Sequence, residues 1–310
     1  MSTTKTRKGL ARRTSIVGCA SALTVAALTL SACGGGTAAA PSPTSPSWSS
    51  SSTATTTPAP TSTTPTSASS ATSSSGTSAT SSTATATGSA STASVPYPQT
   101  SCSSVVHIGD STSVGLESAD FLHNPAYRLT AQYKDVGVKN VTTDISGARA
   151  IIEHWNNQPN SLDAIKKFEA QGYQGCYVLA IGNNDVANIS VGGAGPISAR
   201  IDLMMQHAGS NPVMWLTSRT LKTSGPYTDA NFPSLSNALI AACEKYPNLR
   251  VFDWRNEVQT AWYQPADKIH YTSHGYKERA ERIARALANA FPASGATSSC
   301  VVHSGLSASQ

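Results

Sequence analysis

This chain has little charge and few aromatics: 13% of its 310 residues are Asp, Glu, Lys or Arg and 6% are Phe, Trp or Tyr. The scarcity is uneven. Between Gly34 and about Thr100 there is no Lys, Arg, Asp, Glu or His, and almost no large apolar side chain. Such a stretch has no apolar surface with which to offset chain entropy, so it is expected to form no core. Its Ser, Thr, Pro and Ala make it a semi-extended tether. No C-x-x-C pair occurs and no Cys–His cluster, which argues against a zinc site. Excess positive charge is missing from the remainder too. Five of the 22 basic residues (Lys5, Arg7, Lys8, Arg12, Arg13) lie near the N-terminus, and the rest equal the 17 acidic residues in number. A neutral domain gives no electrostatic footing for nucleic acid.

What is present falls into a leader, the tether and one domain-sized segment. The basic start is followed by an apolar run over 14–32, the pattern of an export signal. That run ends in Leu30-Ser31-Ala32-Cys33, which resembles a bacterial lipobox. The resemblance implies a signal over 1–32, cleavage before Cys33 and lipidation of that cysteine. An uncleaved anchor or an ordinary secretory signal would export the domain equally. The expected place is the outer face of a bacterial cell membrane, held by acyl chains. Residues 33–100 then form the lipidated cysteine and linker, 101–300 the domain, and 301–310 a disordered tail.

Cys19 would leave with the signal. Cys102, Cys176, Cys243 and Cys300 remain, an even number in an exported domain, and four cysteines allow three pairings. The pairing favoured is Cys102 with Cys300, which bracket the domain, and Cys176 with Cys243.

Within 101–300, short apolar runs alternate with longer helical patterns. The strand candidates are 104–108, 133–138, 176–181, 212–217 and 249–253. The helix candidates are about 113–122, 147–156, 161–171, 197–208, 232–245 and 275–290. In the last, Ala280, Ile283, Ala284 and Leu287 recur at helical spacing. The alternation implies an α/β fold with a parallel sheet covered on both faces. Chemistry in such sheets gathers at the carboxyl ends of the strands.

Four polar segments fall at that edge. Gly109-Asp110-Ser111 follows the first strand, with Gly115 four residues after the serine. Ser146-Gly147-Ala148 and Gly182-Asn183-Asn184-Asp185 follow later apolar runs. Asp267-Lys268-Ile269-His270 precedes the last helix. A serine hydroxyl is a poor nucleophile without a base, a group to orient that base, and donors for the oxyanion. With two residues between them, Asp267 can turn back onto one ring nitrogen of His270 and leave the other free. His107, inside the first strand, and His274, beside Gly275, are the rival bases. Arg219 and Trp254 also follow strands, as a substrate contact or as a surface pair and a packed cover.

Taken in order, these segments resemble the four signatures of the SGNH, or GDSL, hydrolase family over about 104–290. The resemblance implies a flavodoxin-like three-layer α/β/α sandwich with five parallel strands in the order 2-1-3-4-5. It implies Ser111 as nucleophile, His270 as base, Asp267 as its orienting acid, and an oxyanion hole of the Ser111 N–H, the Gly147 N–H and the Asn184 side chain. It implies no metal and no organic cofactor. Asn183 stands where members often have Thr or another small residue. Asp253-Trp254 is also similar to the SGNH domains of cell-envelope O-acyltransferases. The expected activity is a serine esterase acting on acyl esters of an envelope glycan or lipid. An O-acyltransferase with the same triad and a non-catalytic binding lipoprotein are the alternatives. The expected partners are the acyl ester and, through the lipid, a membrane; a monomer is expected.

Overall fold

The computed structural model of the protein describes residues 97–307. The signal, Cys33 and all but the last few residues of the tether lie outside the described residues. The elements in chain order are β1 (Ser104–Gly109), α1 (Leu129–Asp135), β2 (Asn140–Ile145), α2 (Ser161–Ala170), β3 (Cys176–Ala180), α3 (Asn183–Ser190), α4 (Ile197–Ala208), β4 (Val213–Leu216), α5 (Pro233–Lys245), β5 (Leu249–Phe252), α6 (Trp254–Glu257), α7 (Ser273–Ala290) and β6 (Val301–Val302). A short 3-10 turn, Ser111–Leu116, follows β1.

Six strands pair in the order β2-β1-β3-β4-β5-β6, every neighbouring pair parallel. The order reverses at β1, the first strand laid down. Alternate residues of each central strand go to opposite faces. Val105, Val178, Ala180, Met214, Leu216 and Phe252 pack on one side with Leu129 and Tyr133 of α1 and with Ala280, Ile283 and Leu287 of α7. Val106, Ile108, Leu179, Val213, Trp215 and Val251 pack on the other with Ile165, Ile201, Met204, Leu235 and Leu239. Burying each such side chain is worth about 1.5–3 kcal/mol, so the two apolar layers fix the register. Among the described residues no helix is long and apolar enough to cross a membrane.

Several expectations need correction. The sheet has six strands, not five: residues 301–307, expected as a tail, begin with β6 alongside β5. Arg282, 2% exposed, donates to the carbonyls of Leu306 (3.1 Å) and Ser307 (2.7 Å). The run 133–138 is not a strand. Tyr133 ends up inside α1, and Gly137, with φ +96°, turns the chain into Val138 and then β2. Its apolar residues are buried because they cap the core beneath α1, not because they line a sheet. Residues 113–122 form a 3-10 segment and turns rather than an α-helix, and 147–156 is irregular, with Ala148 at φ +53°.

The disulfides are Cys102–Cys176 and Cys243–Cys300, not the pairing expected from the bracketing positions. The sheet order supplies the reason. Cys102 enters β1 and Cys176 opens β3, which are neighbours, and their Cα atoms are 5.7 Å apart. Cys300 enters β6 beside β5, against which α5 packs, and lies 5.9 Å from Cys243. Cys102 and Cys300 precede strands separated by three others.

Candidate active site

The site starts from the end of β1. Asp110, fully buried, caps the 3-10 turn: its Oδ1 accepts from the Thr112 N–H (2.8 Å) and the Thr112 hydroxyl (2.6 Å). Its Oδ2 has no hydrogen-bond partner among the described residues. Burial pushes its carboxyl up from the ordinary range, against the pull of the Thr112 bonds, Arg279 and His270. The turn projects Ser111 from the strand's carboxyl edge. Gly115 lets it settle on α7: a Cβ there would sit 2.3 Å from the Tyr276 ring.

The second half comes from the loop before α7. Asp267 Oδ1 accepts from the backbone N–H groups of Ile269 (2.8 Å) and His270 (2.9 Å), while Oδ2 lies 2.8 Å from His270 Nδ1. Lys268 takes φ +61° to make this tight turn. Its carbonyl accepts from Leu221 N–H and its N–H donates to the Gln264 carbonyl, so the loop is braced at both sides. His270 Nε2 lies 2.8 Å from Ser111 Oγ. With Nδ1–H given to the carboxylate, Nε2 is an acceptor and the serine O–H is its donor. Burial pushes the Asp267 carboxyl up, but the two N–H groups and the His270 ring outweigh it and hold the group below the usual carboxylate value. It is therefore ionised at neutral pH.

Ser111 and His270 line a cavity of about 300 Å3 with Thr112, Ala148, Asn183, Asn184, Tyr227 and Ile269. Asn184 stands in the first turn of α3, which opens after Gly182 at φ +119°. Its Oδ1 accepts from the Tyr227 hydroxyl (2.6 Å) and its Nδ2 donates to the Arg149 carbonyl (2.8 Å). That fixes which face of the amide carries N–H groups, and leaves one N–H beyond the Arg149 bond. Asn183 accepts from the Ser218 hydroxyl through its own amide oxygen, and both asparagines line the cavity. In the turn after β2, Ala148 lines the cavity; Gly147 precedes it, and a side chain at 147 would meet nothing within 4 Å.

The rival residues lie elsewhere. His107 is fully buried within β1, between the Tyr133 hydroxyl (3.0 Å) and Ser113 Oγ (3.4 Å). His274 is exposed in the first turn of α7, edge-on to Trp262. Trp254 is a packed cover: it is fully buried, stacks on Trp262, and donates to the Tyr271 hydroxyl at 2.8 Å. Arg219 offers its carbonyl to the Tyr263 hydroxyl (2.8 Å), and nearby Asp229 pairs with Arg255.

One support was not visible in the sequence. Asp185, fully buried, accepts from the Ile151 N–H (3.0 Å) and from Arg200 (2.7 Å), tying the 147–151 segment to α3. Burial raises its carboxyl to about 6, against the bonds from Arg200 and Ile151. Arg200 at an inward position of α4 is the signal that was available: a buried guanidinium demands buried carboxylates. Among the described residues no three His, Cys, Asp or Glu side chains are grouped to hold a metal ion.

No family model matches the chain, and no curated protein does. Solved structures do resemble it. TesA is 17% identical, with a TM-score of 0.43, over 57% of this chain and 93% of that one. The C-terminal catalytic domain of the Streptococcus pneumoniae peptidoglycan O-acetyltransferase A, carrying a methylsulfonyl adduct, is 12% identical, with a TM-score of 0.41, over 59% and 88%. A member of the lipolytic protein G-D-S-L family from Veillonella parvula is 13% identical, with a TM-score of 0.42, over 57% and 93%. At these values the likenesses add nothing to the topology and the distances. On those alone, this is a parallel α/β protein that presents a serine–histidine–aspartate array at the carboxyl edge of its sheet.

Proposed function

We propose that this chain is an SGNH-type serine esterase, exported and held at a bacterial membrane by lipid on Cys33. One observation carries the enzymatic reading. Ser111 Oγ, His270 Nε2, His270 Nδ1 and Asp267 Oδ2 are joined by two 2.8 Å contacts across 159 residues of sequence, beside a cavity. The leader, Leu30-Ser31-Ala32-Cys33 and the uncharged tether support the location.

The chemistry follows from the geometry. Ser111 Oγ attacks the ester carbonyl carbon as His270 Nε2 takes its proton, and Asp267 stabilises the imidazolium that forms. The oxyanion is met by the free N–H of Asn184 and by backbone N–H groups at Ser111 and Gly147. The C–O bond to the alcohol breaks, and His270 returns the proton to the departing oxygen. Water then attacks the acyl-enzyme, His270 takes one of its protons and passes it to Ser111 Oγ, and the free acid leaves. No metal or organic cofactor enters any step.

The test is Ser111→Ala in the folded domain against a short-chain p-nitrophenyl ester. Turnover is expected to fall by about three to six orders of magnitude, with loss of labelling by a serine-reactive fluorophosphonate. Undiminished turnover overturns the reading. Product analysis with a sugar acceptor present separates hydrolysis from transfer to a hydroxyl.

A further inference from the structure

A second cavity, of about 480 Å3, adjoins the one that holds Ser111; the two share Ala148, Asn184 and Tyr227. Its remaining lining includes Glu153, His154, Trp155, Asn188 and the loop over Val191–Gly193. Trp155 is the anomaly. It is 56% exposed, whereas Trp215, Trp254 and Trp262 are buried to 1% or less. Val191, 69% exposed, lies in the same lining, so the cavity has an exposed apolar wall rather than one scattered side chain.

It is also held in place. Gln158 N–H donates to the Trp155 carbonyl at 2.9 Å, closing a turn in which Asn156 and Asn157 both take positive φ (48° and 59°). Gln158 is in turn fixed by the Ser146 hydroxyl. The turn fixes the backbone from which the ring projects, so less freedom is lost on binding than from a loose loop.

The polar groups around it are aimed as well. Arg200, 1% exposed, grips both oxygens of Glu153, whose side chain keeps a third of its surface. Asp163 lies 2.7 Å from His154 Nε2 and sets that ring. Asn188 adds an amide side chain to the wall. A flat apolar ring flanked by a carboxylate, an imidazole and an amide suits one ligand chemistry. A pyranose lays a C–H face on the indole and offers its hydroxyls to the polar rim. Arg200 and Asp163 already partner Glu153 and His154, but a fatty chain would strip water from the surface these two groups keep exposed and offer no hydrogen bond in return.

We infer that this cavity binds a pyranose ring, the sugar that carries the acyl ester, and that Trp155 is its stacking platform. The orientation, acyl group toward Ser111 and ring toward Trp155, rests on the esterase reading above; sugar binding does not.

The experiment has two arms. In the first, Trp155→Ala and Trp155→Phe are assayed on O-acetylated chitotriose and on p-nitrophenyl acetate. Trp155→Ala is expected to lower kcat/KM for the sugar ester tenfold or more and to leave the nitrophenyl ester within about twofold, with Trp155→Phe recovering most of the loss. Unchanged turnover of the sugar ester in Trp155→Ala overturns the inference. So does an equal fall on both substrates, which would mean a deformed site. A tenfold fall on p-nitrophenyl palmitate with the sugar ester spared overturns it in favour of a lipid.

In the second arm, Ser111→Ala is titrated with unacylated chitotriose by tryptophan fluorescence. A saturable change that disappears when Trp155→Ala is added is expected; no change overturns the inference. This arm stands even if neither ester is turned over, so its outcome is separate from that of the esterase reading.

Discussion

At the scale of single residues, Asp267 does two things at once. One oxygen accepts two backbone N–H groups and shapes the loop; the other holds the His270 ring. Asn at 267 can keep the first role. Its amide oxygen still accepts from Ile269 and His270, but an NH2 group then faces Nδ1 and forces that nitrogen to be the acceptor. Nε2 would carry the proton and could no longer receive one from Ser111. Asp267→Asn is therefore expected to lower kcat by about 10^3- to 10^4-fold with little change in KM, measured on a short p-nitrophenyl ester. Retention of activity within tenfold would show that Asp267 is only a loop brace. Because its carboxyl is held below the ordinary 3.8, an acid limb of the wild-type rate profile above that pH belongs to another group.

At the scale of elements, the C-terminal strand is the least secure piece and the most heavily tied. β6 has two residues. Cys300, just before it, is bonded to Cys243 of α5, and Glu257 accepts the Ser304 N–H at 2.7 Å just after it. Cys300→Ser is expected to leave one reactive thiol, located at Cys243 by alkylation and peptide mapping; alkylation at Cys102 instead would refute the pairing. Replacing Cys243 and Cys300 together with Ser should cost about 2–4 kcal/mol in urea unfolding. Activity should survive at 25 °C, since this bridge lies at the sheet edge away from Ser111. The same element shows where sequence reading ends. β1, β3, β4 and β5 were legible because strands buried on both faces are mostly apolar, with only His107 in β1 and Arg250 in β5 interrupting the runs. β2, Asn-Val-Thr-Thr-Asp-Ile, is an edge strand with mostly partly exposed residues, and the apolar stretch Tyr133–Val138 before it was more strand-like in composition. β6 is too short to show a period. α3 opens on Gly-Asn-Asn-Asp, which reads as a turn until Gly182 is seen to launch a helix. The serine–histidine–aspartate array was legible because Asp-x-x-His is local and because parallel topology brings the ends of strands together. The Glu153–Arg200–Asp185 network and the Tyr227–Asn184 bond were not, since each joins residues that only the fold makes neighbours.

At the scale of the whole molecule, stability should depend on pH through a group that takes no part in the chemistry. His107 is fully buried, and burial, helped by the nearby Arg279 charge, lowers its pKa from 6.5 to about 3. In the unfolded chain it takes a proton as pH falls through 6.5, whereas in the folded protein it stays neutral until about 3. The unfolded state thus binds more protons across that window, and each pH unit of acidification withdraws up to about 1.4 kcal/mol of stability through this residue. Other groups titrate in the same range. Asp185, raised to about 6 by burial, acts in the opposite sense, because there the folded state binds the extra proton. The informative quantity is therefore a difference. Wild type and His107→Gln, whose amide can still bond Tyr133 and Ser113, are unfolded in urea at steps between pH 7 and pH 4. Wild type is expected to lose stability relative to the variant as pH falls, with the gap changing by about 1 kcal/mol per unit once the unfolded histidine is charged. A gap that stays constant across the series would mean that His107 takes up its proton in the folded protein as readily as in the unfolded chain, and that its ring, between Tyr133 and Ser113, is open to water.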